Sequence, residues 1–300
     1  MARADSQLGS LPCATGKGEM KTWLVLDVSY LCHRAWHTMG DLSWKGCATG
    51  VVFGFLKSIS ALKDQFATDN VAFCFESPRL LRKEIYPAYK WKRRAFTNPQ
   101  EERSYNKLHE QIHLLRTRYL PMIGFKNICY ALGYESDDLM AVIAADVEED
   151  VVLVTSDSDM LQCLRKNVSI YSPQKQKIFT RDWFYETYGF APGDWAEVKA
   201  VGGCSTDGVK GVPGVGEATA IKYCQNALSF NSKAYRAIKN ASAIIEHNRK
   251  LVRLPFEGCP VPVLVEDEIS QEGWREVCAE LGMRSIIGHP PIAIRARVGK

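Results

Sequence analysis

The stretch Val151-Val152-Leu153-Val154-Thr155-Ser156-Asp157-Ser158-Asp159 runs from four apolar residues into two acids. Trp23-Leu24-Val25-Leu26 likewise ends at Asp27, and Val71-Ala72-Phe73-Cys74-Phe75 ends at Glu76. Short apolar runs of this kind are typical of strands that are buried on both faces of a parallel sheet. Because ligand sites in such sheets form outside the carboxyl ends of the strands, these acids are predicted to converge.

A fourth acid group, Glu135-Ser136-Asp137-Asp138, precedes a helical stretch. Taken alone, these acids have an ordinary role, because acids and serine favour the first turn of a helix. Four acid groups on one predicted edge of the sheet would repel one another unless divalent cations neutralised them. Oxygen ligands of this kind suit Mg²⁺ or Mn²⁺, and two such ions can hydrolyse phosphodiesters without a covalent intermediate. The pattern therefore predicts a metal-dependent phosphodiesterase.

Strand and helix signals alternate through the first half of the chain, which predicts an α/β fold with a central, mostly parallel sheet flanked by helices. Strands are expected at 22–27, 71–76, 126–130 and 151–155, and helices at about 48–65, 99–119 and 136–147. After Ser172 the pattern becomes helical, with a short helix over Trp183–Tyr188 and another from Trp195. The expected divisions are a disordered tail over 1–20, an α/β domain over 21–185 that carries the acids, and a helical region over 186–300.

Composition limits the setting in which the protein works. Its net charge is only +4, from 38 basic and 34 acidic residues, so a surface outside an acidic metal site would be more basic than this total. The ten cysteines include no C-x-x-C pair, which indicates a reducing cytosol. Neither a signal-peptide core nor a membrane-length apolar run is present, so an intracellular location is expected.

A basic stretch lies beside the predicted acids. Residues Arg79 to Arg94 carry seven cations against one acid, and Tyr86, Tyr89 and Trp91 are interleaved with them. Cations pair with phosphates and aromatic rings stack on unpaired bases, so this stretch is predicted to contact DNA. The alternative is a solvated basic helix face.

A glycine-rich segment, Gly208-Val209-Lys210-Gly211-Val212-Pro213-Gly214-Val215-Gly216, precedes a helix that begins near Glu217. Glycines allow a backbone to approach a phosphate closely, and a helix N-terminus offers free N–H groups. A dinucleotide-binding loop would need a strand directly before it, and Val198–Gly203 is a poor one. We therefore expect a helix-hairpin-helix clamp for duplex DNA.

Two histidine pairs, His33/His37 and His109/His113, have the i, i+4 spacing of zinc ligands on a helix. Neither pair has a suitable third ligand nearby in sequence. Surface or packing histidines are the better interpretation.

With these motifs, the chain resembles the bacteriophage-type 5′-to-3′ exonucleases, relatives of the flap endonucleases and of the 5′-nuclease domains of bacterial DNA polymerases. The resemblance covers Trp23 to Pro255, and His247–Leu254 resembles the family's segment after the clamp. The motifs follow the family's order; they are Leu26-Asp27, Arg82-Lys83-Glu84-Ile85-Tyr86-Pro87-Ala88-Tyr89-Lys90, Gly133-Tyr134-Glu135-Ser136-Asp137-Asp138, Thr155-Ser156-Asp157-Ser158-Asp159 and Asp207–Gly216.

The resemblance implies an enzyme that hydrolyses DNA from 5′ ends or flaps during replication, and a phage source. It makes the α/β domain over 21–185 a nuclease domain and the helical region over 186–300 a DNA-binding region. It implies two Mg²⁺ or Mn²⁺ ions. The first is expected on Asp27, Glu76, Glu135 and Asp137 with support from Asp138, and the second on Asp157, Asp159 and Asp207. The residues expected to be catalytic are Lys90, Arg93, Asp27 and Asp157.

The resemblance also implies a helical arch over about 79–120, through which a single-stranded 5′ end passes, with Lys90 and Arg93 at its base. The clamp is expected to hold K⁺ through the carbonyls of Val209, Val212 and Val215. An RNA–DNA hybrid and replication proteins are further expected partners. The residues expected to contact DNA are Arg82, Lys83, Tyr89, Lys90, Lys92, Arg93, Arg94, Lys210, Gly211, Gly214 and Gly216.

Two residues depart from the family's pattern. Glu76 stands where aspartate is usual, and Cys204 stands at a usual aspartate position although thiol sulfur is a poor ligand for Mg²⁺. The second ion is therefore expected to bind more weakly. Two alternatives stay open: a metal-dependent RNase of related fold, and a DNA-binding protein that has lost catalysis together with its second metal.

Overall fold

The computed structural model describes residues 21–91, 96 and 98–291; the expected tail over 1–20 lies outside them. Ten strands are present in this part of the chain. They are β1 (Thr22–Asp27), β2 (Ser43–Trp44), β3 (Cys47–Ala48), β4 (Asn70–Phe75), β5 (Ile128–Tyr130), β6 (Asp150–Val154), β7 (Val168–Ser172), β8 (Lys177–Phe179), β9 (Gly203–Cys204) and β10 (Val209–Lys210).

Six of these strands form the central sheet, in the order β5-β4-β1-β6-β7-β8. All neighbouring pairs are parallel except β7 and β8, which are antiparallel. In the register of the sheet, Asp27 lies beside Cys74 of β4, and Leu26 lies beside Val154 of β6. The carboxyl ends of β1, β4 and β6 therefore meet, and the expected mostly parallel α/β fold is confirmed.

The described helices surround this sheet. They are α1 (Val28–Met39), α2 (Gly50–Phe66), α3 (Arg82–Ile85), α4 (Pro99–Leu114), α5 (Leu120–Ile123), α6 (Ser136–Asp146), α7 (Arg181–Tyr188), α8 (Trp195–Gly202), α9 (Glu217–Cys224), α10 (Lys233–Lys239), α11 (Ser242–Val252) and α12 (Gln271–Glu280). None of them has the length and apolar character needed to cross a membrane.

Two hydrophobic cores cover the two faces of the sheet. Side chains of successive strand residues point to opposite faces, so Val25 packs into one core while Leu24 and Leu26 pack into the other. The core on the Val25 face is shared with the C-terminal region, including the fully buried Trp195 of α8. The other core includes Trp274 of α12. Each of the two cores thus contains residues from both the expected nuclease region and the expected DNA-binding region.

Three elements differ from the expected pattern. Helix α1 is not expected, although its buried residues Val28, Leu31, Cys32 and Ala35 follow the i, i+3, i+4, i+7 spacing of a helix. Strands β7 and β8 extend the sheet beyond the predicted four strands. The predicted helix over 99–119 is α4 followed by one turn of π-helix over Leu115–Tyr119, and α5 then continues it.

Within the expected arch over 79–120, the structure describes residues 79–91, 96 and 98–120. Its first part contains α3, and its second part begins where the Asn98 side chain accepts hydrogen bonds from the N–H groups of Gln100 and Glu101, with Pro99 in the first turn of α4. This cap fixes the start of α4. Lys92, Arg93 and Arg94, expected to contact DNA, lie outside the described residues.

Candidate metal centre and nucleic-acid interface

Asp27 lies at the carboxyl end of β1 and also caps α1. Its carboxylate accepts hydrogen bonds from the N–H of Tyr30 at 3.0 Å, from Thr155 Oγ1 at 3.2 Å and from Ser136 Oγ at 3.3 Å. Burial raises the pKa of Asp27 to about 6, and the charges of Glu76 and Asp157 add to the shift. The acids that follow β1, β4 and β6 are therefore close enough to repel one another.

Asp137 lies at the start of α6 and is the least satisfied of these acids. Burial raises the pKa of Asp137 above its ordinary value, and Asp157 and Asp27 contribute further. Among the residues that the structure describes, no donor reaches the buried Asp137 Oδ1. A buried carboxylate oxygen without a partner is costly, and a divalent cation would satisfy it. The donor set around Asp27 and Asp137 therefore fits a hard metal ion.

Glu135 and Asp138 form a capping box at the start of α6. The Asp138 carboxylate accepts a hydrogen bond from the N–H of Glu135, and Glu135 caps the helix in return. Burial alone would raise the pKa of Glu135, but the cations of Lys90 and Arg82 hold it below its ordinary value. Glu135 is therefore a carboxylate whose charge is already shared with two protein cations.

Lys90 lies within the acidic group. Its ammonium contacts Glu135 Oε1 and lies 3.9 Å from Asp207 Oδ1, and its side chain is 9% exposed. The backbone holds it there: Lys90 has a φ of +53°, and its N–H donates to the Asp207 carbonyl at 2.8 Å. A positive φ is uncommon for a residue other than glycine, so this position is held by the surrounding structure.

Two residues that were expected to contact DNA are buried instead. Arg82 is 2% exposed, and its guanidinium donates to both carboxylate oxygens of Asp138, at 2.5 and 2.7 Å, and to the Leu251 carbonyl. Tyr89 is 3% exposed, and its hydroxyl donates to Glu135 at 2.8 Å. Bonding of their polar groups to the acids favours a positioning role for both side chains, and their contact with DNA stays a prediction.

Asp138 is likewise fully engaged. Besides Arg82 and the Glu135 N–H, it accepts a hydrogen bond from the N–H of Phe256 at 2.8 Å. Its oxygens are thus used to join the start of α6 to α3 and to the chain after α11. These contacts favour the supporting role expected for Asp138 over direct metal ligation.

A second cluster joins the chain after β6 to the β9–β10 hairpin. In the described chain, Asp159, Cys204 and Asp207 form the group whose ligand atoms all lie within 4.8 Å of one another. Burial raises the pKa of Asp159 to about 6, with help from Asp157. Cys204 Sγ lies 3.7 Å from Asp159 Oδ2.

Lys199 of α8 is a cation at the second cluster that the sequence pattern did not reveal. Its ammonium lies 3.1 Å from Asp159 Oδ1, 3.0 Å from Ser158 Oγ and 3.2 Å from Glu217 Oε2. Burial alone would lower the pKa of Lys199, but Asp159 and Glu217 raise it above its ordinary value. A single lysine inside a helix carries no local signal of this contact.

The glycine-rich segment folds as a helix-hairpin-helix unit. Helix α8 leads into the β9–β10 hairpin, and Gly216 precedes the first turn of α9. The side chains of Val209, Val212 and Val215 are buried, whereas Lys210 is exposed and Gly214 has a φ of +78°. K⁺ binding by the three valine carbonyls stays a prediction.

Asn248 of α11 holds this hairpin in place. Its side-chain amide donates to the carbonyls of Ala200 and Lys210, both at 2.8 Å. It is 3% exposed. A buried amide that satisfies two backbone carbonyls ties α11 to α8 and to β10.

The histidine pairs behave as packing residues. His33 and His109, one from each pair, lie with ring centroids 6.4 Å apart, and Tyr105 packs on His109 at 4.2 Å. His33 and His37 both neighbour the Trp36 ring, with centroid distances of 6.0 and 4.9 Å.

The fold and the two acid clusters define a class of proteins, the nucleases that hold divalent metal ions at the carboxyl edge of an α/β sheet. Residues 22–189 match the family model described as "5'-3' exonuclease, N-terminal resolvase-like domain". The chain therefore belongs to the 5′-3′ exonuclease family.

Two relatives differ in how much of their own length this chain covers. A 5′-3′ exonuclease of Bacillus subtilis is 32% identical over 263 residues, which are 80% of this chain and 84% of the relative. DNA polymerase I of Mycobacterium leprae is 30% identical over 252 residues, or 77% of this chain, but the chain spans only 27% of the polymerase. A relative of full polymerase length thus contains far more than this fold.

A bacteriophage T5 flap endonuclease, solved as a pseudo-enzyme-product complex with DNA and metal ions, has the same fold. The two structures align with a TM-score of 0.64 over 78% of this chain and 90% of the other, at 18% identity. The human GEN1 protein in complex with Holliday junction DNA aligns with a TM-score of 0.57 over 88% of this chain and 68% of the other, at 16% identity.

Proposed function

We propose that this protein hydrolyses phosphodiesters of DNA from 5′ ends or flaps, with two Mg²⁺ or Mn²⁺ ions. The observation that carries the proposal is the buried Asp137 Oδ1, which no described donor reaches, among carboxylates that raise one another's pKa. Repulsion of this kind is relieved by a divalent cation. Family membership supplies the reaction class.

The residues that would hold the first ion are Asp27, Glu76, Glu135 and Asp137. Asp157, Asp159 and Asp207 would hold the second. When bound, such ions polarise the phosphate and lower the pKa of a water. The chain itself positions the acids: Arg82 fixes Asp138, Tyr89 and Lys90 orient Glu135, and Thr155 and Ser136 orient Asp27.

Lys90 would offset the charge that builds on the phosphate as it reacts. It is the cation closest to Glu135 and it also neighbours Asp207, so it lies between the two groups of acids. A fixed cation at that point stabilises a developing negative charge without having to reorganise. Arg93 is proposed to assist it.

The helix-hairpin-helix unit would bind the duplex through its backbone. Exposed Lys210 and the segment around Gly211, Gly214 and Gly216 present a positive, closely approachable surface to phosphates. Lys83 would contribute from α3, and Lys92 and Arg94 are also proposed as DNA contacts. K⁺ at the hairpin, RNA–DNA hybrids, replication proteins as partners, a phage source and a cytoplasmic location are further parts of this proposal.

The decisive experiment is a nuclease assay on a 5′-labelled duplex and a 5′-flap substrate, with Mg²⁺, Mn²⁺ or EDTA. Asp157→Ala serves as the inactive control, because it removes a proposed ligand on an exposed turn, and Asp41→Ala as the active one. Metal-dependent cleavage from the 5′ side that requires Asp157 is expected. Binding without cleavage in either metal would contradict the proposal.

Two features favour a second candidate, a DNA-binding protein without catalysis. Cys204 replaces an oxygen ligand, and Lys199 already neutralises Asp159 at 3.1 Å. Both features weaken the site for Mg²⁺. The same assay separates the two candidates. If the chain is a DNA-binding protein without catalysis, it should bind the flap substrate equally well in EDTA and in Mg²⁺ and cleave it in neither.

A further inference from the structure

Cys204 is placed as a ligand by two rigid segments. It lies in β9 and pairs with Val209 of β10, so the turn between these strands carries both Cys204 and Asp207. Asp159 lies in a 3₁₀-helix that begins after Asp157, whose side chain accepts a hydrogen bond from the Asp159 N–H at 2.8 Å. These two segments bring the three ligand atoms within 4.8 Å of one another.

The separation of the sulfur and oxygen atoms fits a thiophilic ion. Zinc–sulfur and zinc–oxygen bonds of about 2.3 and 2.1 Å at a tetrahedral angle place the two ligand atoms about 3.6 Å apart. Cys204 Sγ and Asp159 Oδ2 are 3.7 Å apart, close to that separation, and the protonated thiol donates a hydrogen bond to the carboxylate across this distance. Magnesium at about 2.1 Å from six oxygens brings neighbouring ligands closer together and binds sulfur poorly.

Lys199 leaves one side of Asp159 available. Its ammonium lies against Oδ1 of that carboxylate, whereas Cys204 lies against Oδ2. Oδ2 of Asp159, Sγ of Cys204 and a carboxylate oxygen of Asp207 thus form a three-ligand face. Three protein ligands with an open fourth position are typical of sites where a metal takes part in chemistry.

We infer that the second metal position of this protein is a mixed thiolate and carboxylate site that selects a thiophilic divalent cation, such as Zn²⁺ or Co²⁺, over Mg²⁺. This inference rests on the proposed function, since it specifies one ion of the proposed pair. On binding, the Cys204 S–H bond breaks, its proton passes to solvent, and the sulfur donates an electron pair to the cation. No electron is transferred and no oxidant is needed.

The test follows Co²⁺ spectroscopically, in the full chain and without DNA, with a phosphine as the reductant because dithiols chelate such ions. Wild-type protein should develop a near-ultraviolet thiolate-to-cobalt charge-transfer band, and Zn²⁺ should abolish it. Cys204→Ser and Cys204→Asp should lack this band. The matched control is Cys224→Ser, because Cys224 lines a separate cavity with the acids Asp194 and Glu197, and this variant must keep the band.

Zinc affinity, measured by competition with a chromophoric chelator, gives the second readout. Loss of a directly bonded thiolate should weaken Zn²⁺ at least as much as loss of an outer-sphere partner, which costs about 10-fold or more. Cys204→Asp should at the same time bind Mn²⁺ more tightly than wild type. Equal Zn²⁺ affinity in wild type and Cys204→Ser, with both folded by circular dichroism, would overturn the inference.

The two proposals fail separately. Nuclease activity in Mg²⁺ without a Cys204-dependent cobalt band would remove the selectivity and leave the proposed function in place. A Cys204-dependent cobalt charge-transfer band, in a protein that cleaves neither substrate with Mg²⁺, Mn²⁺, Zn²⁺ or Co²⁺, would contradict the proposed function. The thiolate metal site would still stand.

Discussion

Lys90 is buried among the acids that it is proposed to assist, although lysine is seldom buried without a partner. Its contact with Glu135 and the proximity of Asp207 supply that partner, and its positive φ shows that the surrounding chain fixes the position. Lys90 is therefore part of the electrostatic balance of the site, and it is the cation proposed to meet the phosphate.

Lys90→Ala should lower the turnover of a 5′-flap substrate by about 10²-fold or more, because it removes a fixed charge that acts in the transition state. Duplex affinity should change little, since a side chain that is 9% exposed contributes little to ground-state binding. Single-turnover kinetics and fluorescence anisotropy measure the two effects, with exposed Lys57→Ala as the control. A similar loss in both would rule out the assigned role.

Asp27→Asn tests the buried charge. A carboxyl whose pKa is raised to about 6 in the folded protein favours folding at low pH, and that contribution is lost as the pH rises through about 6. In EDTA at pH 8, the free energy of unfolding of Asp27→Asn should therefore exceed that of wild type by about 1–3 kcal/mol. Below about pH 4 the two free energies of unfolding should be nearly equal.

Urea denaturation at the two pH values gives these free energies, and exposed Asp41→Asn serves as the control. Saturating Mg²⁺ should stabilise wild type more than the variant, because a cation bound to the folded state adds its binding free energy. If Asp27→Asn were more stable than wild type by the same free energy at both pH values, burial of the Asp27 charge would not be the cause.

At the level of elements, the hairpin between α8 and α9 depends on close backbone contact. A Cβ on Gly211 would lie 2.3 Å from the carbonyl carbon of Gly202 and 2.5 Å from the nitrogen of Gly203. At Gly216 a Cβ would meet nothing within 4 Å, and the φ there is −99°. Of these two glycines, only Gly211 is therefore restricted by its neighbours.

Gly211→Ala should destabilise the protein by about 1–3 kcal/mol, because backbone atoms on both sides of the hairpin must move apart. It should also weaken duplex binding, since α9 begins from this hairpin. Gly216→Ala is the matched control and should leave the melting temperature nearly unchanged. Thermal melting distinguishes the two variants, and anisotropy measures duplex binding by Gly211→Ala; equal melting temperatures for the two variants would mean that the contact at Gly211 is not restrictive.

Across the whole molecule, the C-terminal region is part of the same packing as the sheet. Trp274 of α12 is fully buried, and its indole N–H donates to the Ile286 carbonyl at 3.1 Å. Trp195 of α8 packs into the core on the opposite face of the sheet. Because both cores draw on distant parts of the chain, we expect one cooperative unfolding transition.

Trp274→Ala should lower the free energy of unfolding by about 3–5 kcal/mol, as expected for a large cavity in a core. The loss should extend to the secondary structure of the sheet as well as to α12, because they unfold together. Denaturant unfolding followed by far-ultraviolet circular dichroism measures this, and Phe230→Ala, at a residue 73% exposed, is the control. Two separate transitions would contradict a shared core.

The sequence by itself determined where the acids would lie. Apolar runs that end at Asp27, Glu76 and Asp157 define strands, and a parallel sheet brings the ends of such strands to one edge, so local pattern and general topology were sufficient. The glycine spacing around Gly211 likewise predicted the hairpin. Helix α1, which was not predicted, also has the apolar spacing of a helix in its sequence.

Only the tertiary structure decided which polar groups pair with which. Asp159 and Cys204 are 45 residues apart, and Arg82 and Asp138 are 56 residues apart. Burial and hydrogen-bond partners depend on how distant elements pack, and no local periodicity records that. For this reason the basic pattern predicted DNA contacts at Arg82 and Tyr89 and did not predict that packing buries them against the acids. The contact of Lys199 with Asp159 was not predicted either, because it depends on where α8 packs.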